Sequence, residues 1–284
     1  MTLKKCPVEL FPATDFSMAT LTEAYNQARI DYIVPMPMNV ARMRAYIHNY
    51  DVTLESSVVA TIEHEIVGLG MLGIREQRAW ITRLGISPNK RRNTAGQAIM
   101  EYLIQESRER GAQKIILEVI KGNEPAYHLF KKLGFYVTRE LLVLRRPPLK
   151  APSKYKPYTV TYLNEATTSD LLEQRHSKPS WLDEAPSLRH AGGLEGLSVR
   201  LIDGSHGWIA YQHALYQLGR IVLQPETGDK IAVAQALLHA LHTRHLLHDT
   251  KFENLPALDP YWEVFEECGY IVSFKRLEMN LDLR

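Results

Sequence analysis

The chain has 284 residues, 45% of them hydrophobic and 23% charged, ordinary values that exclude a disordered or fibrous protein. At roughly 100–200 residues per domain, this length predicts about two domains, each able to bury a core. Net charge is +2, but residues 1–147 hold 20 Lys and Arg against 15 Asp and Glu, and the remainder 14 against 17. The basic first half suits a small polyanionic ligand and falls far short of a nucleic-acid-binding surface.

No apolar run approaches the ~20 residues that span a bilayer, and residues 1–14 carry Lys4 and Lys5 without an apolar stretch, so no signal peptide is expected. Cys6 and Cys268 lie at opposite ends and suggest neither a disulfide framework nor a metal finger. The expectation is a cytoplasmic protein with no membrane and no nucleic-acid partner.

In chain order, residues 7–13 predict a short strand. Met18, Leu21, Tyr25 and Ala28 recur at helical spacing within 17–31. Val34-Pro35-Met36-Pro37-Met38 interrupts, and Asn39 is a plausible N-cap for a helix to about Tyr50. Residues 54–63, 66–75 and 78–87 read as three antiparallel strands ending at Pro88. From Thr94 to Arg110 the period becomes helical, with Gly111 a suitable C′ residue. Lys114–Ile120 reads as an apolar strand broken by Glu118. Asn123–Leu133 reads as a short helix with Pro125 in its first turn and Gly134 after its end, and 135–144 as a last strand.

Pro147, Pro148 and Pro152 mark a semi-extended linker over 148–158. The expected domains are therefore 1–147 and 159–284. The second half repeats the first in degraded form. Arg220-Ile-Val-Leu-Gln-Pro225 resembles Arg83-Leu-Gly-Ile-Ser-Pro88, Asn254-Leu-Pro-Ala257 resembles Asn123-Glu-Pro-Ala126, and Cys268-Gly-Tyr270 resembles Leu133-Gly-Phe135.

The informative chemistry lies in 83–135. Lys90-Arg91-Arg92-Asn93-Thr94-Ala95-Gly96 sits where a strand hands over to a helix. Free backbone N–H groups at a helix start bind anions, adjacent cations strengthen the field, and Gly96 lets a ligand approach the backbone. By itself such a loop is more often a solvated surface turn.

The order of elements resembles the GNAT superfamily of acyl-CoA-dependent N-acetyltransferases. Arg91-Arg92-Asn93-Thr94-Ala95-Gly96 matches that family's Arg/Gln-x-x-Gly-x-Gly/Ala loop. Asn123-Glu-Pro-Ala126-Tyr127-His-Leu129-Phe130-Lys-Lys-Leu-Gly134-Phe135 matches its closing Asn-x-x-Ala-x-x-Leu-Tyr-x-x-x-Gly-Phe pattern. The resemblance implies an α/β (α+β) fold of two GNAT-like domains, each a mixed, mostly antiparallel splayed sheet flanked by helices. It implies acetyl-CoA as co-substrate, with no metal. Leu84, Gly85 and Ile86 would bond the pantetheine arm through their backbone. Arg91, Arg92, Asn93, Thr94, Ala95 and Gly96 would hold the pyrophosphate, and Asn123 and Phe130 would lie near the thioester end. A small-molecule or peptide amine would be the acceptor. The C-terminal copy would wall the acceptor cleft or form a homodimer interface.

Two positions depart from the family pattern. Thr94 replaces the usual glycine: it is strained if the site needs φ > 0, and harmless, even a helix cap, if the site needs only an N–H. Phe130 replaces the tyrosine that protonates the departing thiolate. Tyr127, three residues earlier on the same helix, is the candidate acid, or else a packed core residue. Transfer to an amine needs a base, for which Glu118, a lone carboxylate in an apolar strand, is the candidate; a surface-facing or arginine-paired role is the alternative.

In the second copy Glu226 and Asp229 stand where the first has its cations, so tight CoA binding is not expected there. His239, His242, His245 and His248 recur at spacing of three, which can face a metal. Without cysteines, and with Asp249 as the nearby carboxylate, a solvated helix end is the expectation.

Overall fold

The computed structural model describes residues 7–91 and 94–283. The chain forms two compact units: residues 1–138 with 277–284, and residues 139–276.

The first unit begins with β1 (Glu9–Pro12), α1 (Met18–Ala28) and α2 (Val40–Asn49). Ser17 accepts the Thr20 N–H ahead of α1, and Asn39 the Arg42 N–H ahead of α2. Each cap satisfies an amide that a helix start leaves unpaired. Strands β2 (Val52–Ile62), β3 (Glu65–Arg75) and β4 (Arg78–Ile86) follow, then α3 (Ala95–Glu109), β5 (Lys114–Ile120), α4 (Glu124–Lys132) and β6 (Tyr136–Arg146). Strands β1 to β4 pair antiparallel in sequence order, and β5 joins β4 in parallel. Ile99 and Leu103 of α3 bury against Val58 and Ala60 of β2, Leu72 of β3 and Leu117 of β5. Each large aliphatic side chain removed from water in this way contributes about 1.5–3 kcal/mol.

The second unit repeats this order with β7 (Tyr158–Leu163), α5 (Glu165–Leu171), α6 (Ala185–Ala191), β8 (Leu194–Leu201), β9 (His206–Ala214), β10 (Gln217–Thr227), α7 (Lys230–Arg244), β11 (Asp249–Pro256), α8 (Trp262–Glu267) and β12 (Ile271–Asp282). Its strands β7 to β10 are antiparallel, and β10 and β11 are parallel. Both units kink at the same place. Arg83 in β4 and Arg220 in β10 have φ of 54° and 51°, each at a break in register with the preceding strand. An arginine in the left-handed region is uncommon, so its recurrence at the Arg83 and Arg220 positions supports one fold present twice.

The units do not divide at the expected 147/148 boundary, and 148–158 lies inside the second unit. The reason is an exchange of final strands. The outer part of β6 pairs antiparallel with β11, Leu144 opposite Phe252, and Leu142 and Leu144 pack into the second unit's core. The first unit is completed by the end of β12: Leu283 N–H bonds the Gln113 carbonyl at 2.8 Å, and Met279 is buried in its core. Among the described residues, no helix is long and apolar enough to cross a membrane.

Candidate active site

The first unit's sheet splits beside its kink. Parallel pairing of β4 with β5 covers only Arg78–Ile81 against Lys114–Leu117. Beyond it lies a cleft of about 530 Å³, lined by Leu84, Gly85 and Ile86, by Thr94, Ala95, Gly96 and Gln97 at the start of α3, by Asn123, Pro125, Ala126 and Leu129, and by Ala28, Arg29, Asp31, Tyr32 and Ile33 with Lys90 and Arg91. The expected contributors Leu84, Gly85, Ile86, Arg91, Thr94, Ala95, Gly96 and Asn123 thus come together. Arg92 and Asn93 lie outside the described residues.

The floor of this cleft is a helix N-terminus, whose first amides have no intrahelical acceptor and carry the positive end of the dipole. Gly96 leaves room there. A Cβ at Gly96 would stand 3.6 Å from both Ile86 and Leu129, a contact the protein tolerates but one that fills the cradle. The site therefore fits an extended phosphate-bearing ligand.

Thr94 corrects the harmless alternative. Its φ is 62° and its hydroxyl makes no cap bond to α3. The loop demands a left-handed residue, and threonine is strained in it.

Arginines that sequence reasoning missed, or assigned only to phosphate, hold the free backbone of β4. Arg29 Nη2 donates to the Leu84 carbonyl at 3.1 Å, and Arg91 Nε to the Ile86 carbonyl at 3.1 Å. Arg91 also forms a forked pair with Asp31, whose carboxyl is held below its usual range chiefly by that hydrogen bond. Arg29 stacks on the Tyr32 ring, 4.2 Å from its centroid. Tyr32 Oη accepts from Asn123 Nδ2 at 3.5 Å, while Asn123 Oδ1 caps α4. Tyr32 and Ile33, in the segment after α1, line the same cleft as Gly96.

Phe130, expected near the thioester end, and Tyr127, the candidate acid, sit elsewhere. Phe130 is buried against Phe135, with ring centroids 6.1 Å apart, and does not line the cleft. Tyr127 packs on the core cluster and is likewise absent from the lining. Helical geometry explains both: the cleft side of α4 carries Pro125, Ala126 and Leu129, and Tyr127 and Phe130 belong to its inward face.

Glu118 sits on β5 just past the last pair with β4. Its carboxylate accepts the Trp80 Nε1–H at 3.3 Å. Tyr46, Tyr50 and Trp80 form an aromatic group beside it, with Tyr46 and Tyr50 centroids 4.7 Å apart. Tyr46 is pushed up to about 12 by burial, with Glu118 adding to the rise, and its hydroxyl bonds Thr82 at 2.6 Å. Arg83 covers the Tyr46 ring at 3.9 Å and donates to Tyr25 Oη at 2.8 Å.

Residues 21–135 match the acetyltransferase (GNAT) family. The first unit carries a GNAT acetyltransferase domain. A 59-residue stretch is 36% identical to streptothricin acetyltransferase of Streptomyces lavendulae; it covers 21% of this chain and 31% of that enzyme. Over the whole chain, the fold is similar to a GCN5-related N-acetyltransferase from Sphaerobacter thermophilus (TM-score 0.73, 14% identity, 98% of that chain). A tandem GNAT protein from the clavulanic acid biosynthesis pathway is also similar (TM-score 0.68, 11% identity, covering 97% of this chain and 98% of that one). The GNAT fold therefore extends across both units, and the family supports acyl transfer.

The second unit has its own smaller cleft of about 250 Å³, lined by Arg175, Asp183, Gln224, Asn254 and Asp259 among others. The acids at the start of α7 are engaged. Asp229 caps the helix through the Ala232 N–H and pairs with Lys156 at 2.8 Å, and Glu226 accepts the Trp208 indole N–H at 3.0 Å.

Proposed function

We propose that the first unit is an acetyl-CoA-dependent N-acetyltransferase acting on a primary amine by direct attack. The observation that carries this reading is the cleft where β4 and β5 part, floored by the N-terminus of α3. Bound acetyl-CoA would supply an activated acyl thioester. The N–H groups of Ala95, Gly96 and Gln97 would take its pyrophosphate with Lys90 and Arg91. The backbone of Leu84 and Ile86 would receive the pantetheine arm, which requires Arg29 and Arg91 to release their carbonyls. Glu118, held by Trp80, would take the proton from the acceptor ammonium, directly or through water, so that the free amine attacks the thioester. Tyr32, which lines the cleft beside Asn123 where Tyr127 does not, would return a proton to the thiolate.

The second unit, with Asp229 already filling the anion position of α7, would serve a structural role without tight CoA binding. A chain that binds acyl-CoA as a sensor is the second reading, favoured by the burial of Phe130 where an acid is usual.

Calorimetry with acetyl-CoA, followed by release of free thiol across a panel of small amines and peptide N-termini, tests these readings. Binding with amine-dependent thiol release supports the enzyme. Binding without release above hydrolysis supports the sensor. No binding at millimolar acetyl-CoA removes both.

A further inference from the structure

Among the described residues, one cluster of metal-ligating side chains lies apart from the acyl-transfer site. His213 on β9 and His245 and His248 after α7 bring one ring nitrogen each to within 4.8 Å of one another. Their ring centroids are 4.6 to 5.2 Å apart. The histidine series along α7 separates here. His239 stacks on Tyr155 at 3.7 Å, and His242 is buried against Tyr270, while His245 and His248 turn towards β9.

Hydrogen bonding sets the protons on two of the three rings. Tyr211 donates its single hydroxyl hydrogen to Glu195 Oε2 at 3.1 Å. Its oxygen therefore accepts from His245 Nε2–H at 3.1 Å, leaving His245 Nδ1 with a bare lone pair. Glu195 Oε1 accepts only, so His213 Nδ1 carries the hydrogen at 3.1 Å and His213 Nε2 is bare. One carboxylate thus fixes both tautomers, the arrangement in which a carboxylate orients an imidazole for a metal. Arg244, 3.7 Å from Glu195, anchors that carboxylate from the other side.

His213 Nε2 faces His248 Nε2 at 2.9 Å. Two nitrogens sharing a tetrahedral zinc at bonds of about 2.0–2.1 Å stand about 3.3 Å apart. A small opening of this pair admits the ion, and the His248 hydrogen moves from Nε2 to Nδ1, so that the neutral ring presents a bare Nε2 to the metal without net proton release.

We propose that His213, His245 and His248 form a three-imidazole site for a divalent transition metal, zinc by its ligand chemistry, positioned by Glu195 and tying β9 to the segment after α7. The three-nitrogen set suits zinc, and equally copper or nickel, and does not suit magnesium or calcium. A solvent molecule completes the fourth position, since His213 is partly exposed.

The test uses the full chain without a polyhistidine tag, stripped with chelator and titrated with zinc chloride by calorimetry. One equivalent should bind, with a rise in melting temperature that chelator reverses. Cobalt(II) in the same site should give the visible absorption of a tetrahedral nitrogen set. His213→Gln and His248→Gln should each weaken zinc binding on the order of tenfold or more, and Glu195→Gln by roughly 10–100-fold with the cobalt spectrum kept. His239→Gln should leave affinity unchanged. All variants should melt with the parent chain in chelator, which separates ligand loss from misfolding. Either failure of the parent chain to bind zinc at sub-millimolar concentration, or undiminished binding by the His213→Gln, His248→Gln double variant, overturns the site.

Discussion

The guanidinium of Arg91 meets the carboxylate of Asp31 fork to fork, with both N–O distances at 2.7 Å. Both side chains are half exposed, so the pair adds little to stability. Its effect is on the ligand. Arg91→Ala should weaken acetyl-CoA binding about 10–100-fold, the worth of a hydrogen bond to a charged group, and leave S-acetylpantetheine, which lacks pyrophosphate, nearly unaffected. Asp31→Asn should tighten acetyl-CoA severalfold by freeing Arg91 and removing a nearby anion. Calorimetry on both ligands decides; equal losses for the two ligands in Arg91→Ala would show that the pyrophosphate lies elsewhere.

Thr94→Gly relieves a left-handed threonine at the mouth of the cleft. The expected gain is about 1 kcal/mol, a rise of roughly 2–4 °C in melting temperature. Thr94→Val, equally branched and without the hydroxyl, should not share the gain. A melt of Thr94→Gly at or below the parent value contradicts the strain.

Glu118→Gln keeps an acceptor for the Trp80 indole and removes the base. The turnover number should fall about 10²–10⁴-fold, and acetyl-CoA affinity should be unchanged. Activity should recover partly as pH rises and free amine accumulates. Tyr32→Phe should lower turnover more than Tyr127→Phe, because Tyr32 lines the cleft and Tyr127 does not. The reverse order would restore Tyr127 as the acid.

Asp183 is buried, and burial lifts its carboxyl from 3.8 to about 6, with Arg175 opposing. The folded state thus holds this proton more tightly than the unfolded one. Its stabilising effect is full below about pH 4 and is lost as pH rises through about 6. Asp183→Asn does not titrate, so its stability relative to the parent chain should improve by up to about 3 kcal/mol from pH 4 to pH 7. Urea midpoints of both proteins across that window measure it, and a pH-independent difference refutes the shift.

Much of the fold was legible because its signals are local. Ser17, Asn39, Asn123 and Asp229 each cap a helix through a bond three residues long, and the Arg83 and Arg220 segments recur in sequence as they do in backbone angle. The exchanged strands were not legible. Residues 136–146 read as the end of one domain, and only the pairing of Leu144 with Phe252 shows otherwise. The cleft was legible on the side carried by 84–96 and illegible where Arg29, Asp31 and Tyr32 cross 50 or more residues to meet it. Tyr127 and Phe130 show a second limit: spacing along a short helix did not tell which face looks into the cleft. The histidines show a third, since Glu195 and His213 become neighbours of His245 only through strand pairing.

The exchange of final strands has a consequence for the order of events on the ribosome. The edge of β5 opposite β4 and the cleft is covered by residues 277–283, synthesised a whole domain later than β5 itself. The first unit cannot reach its finished form while the second is still being made. A nascent chain halted near residue 147 would carry every cleft residue and still present an uncovered β5 edge to its neighbours, an invitation to aggregate. Expression of the two halves as separate chains should therefore succeed best when they are made together.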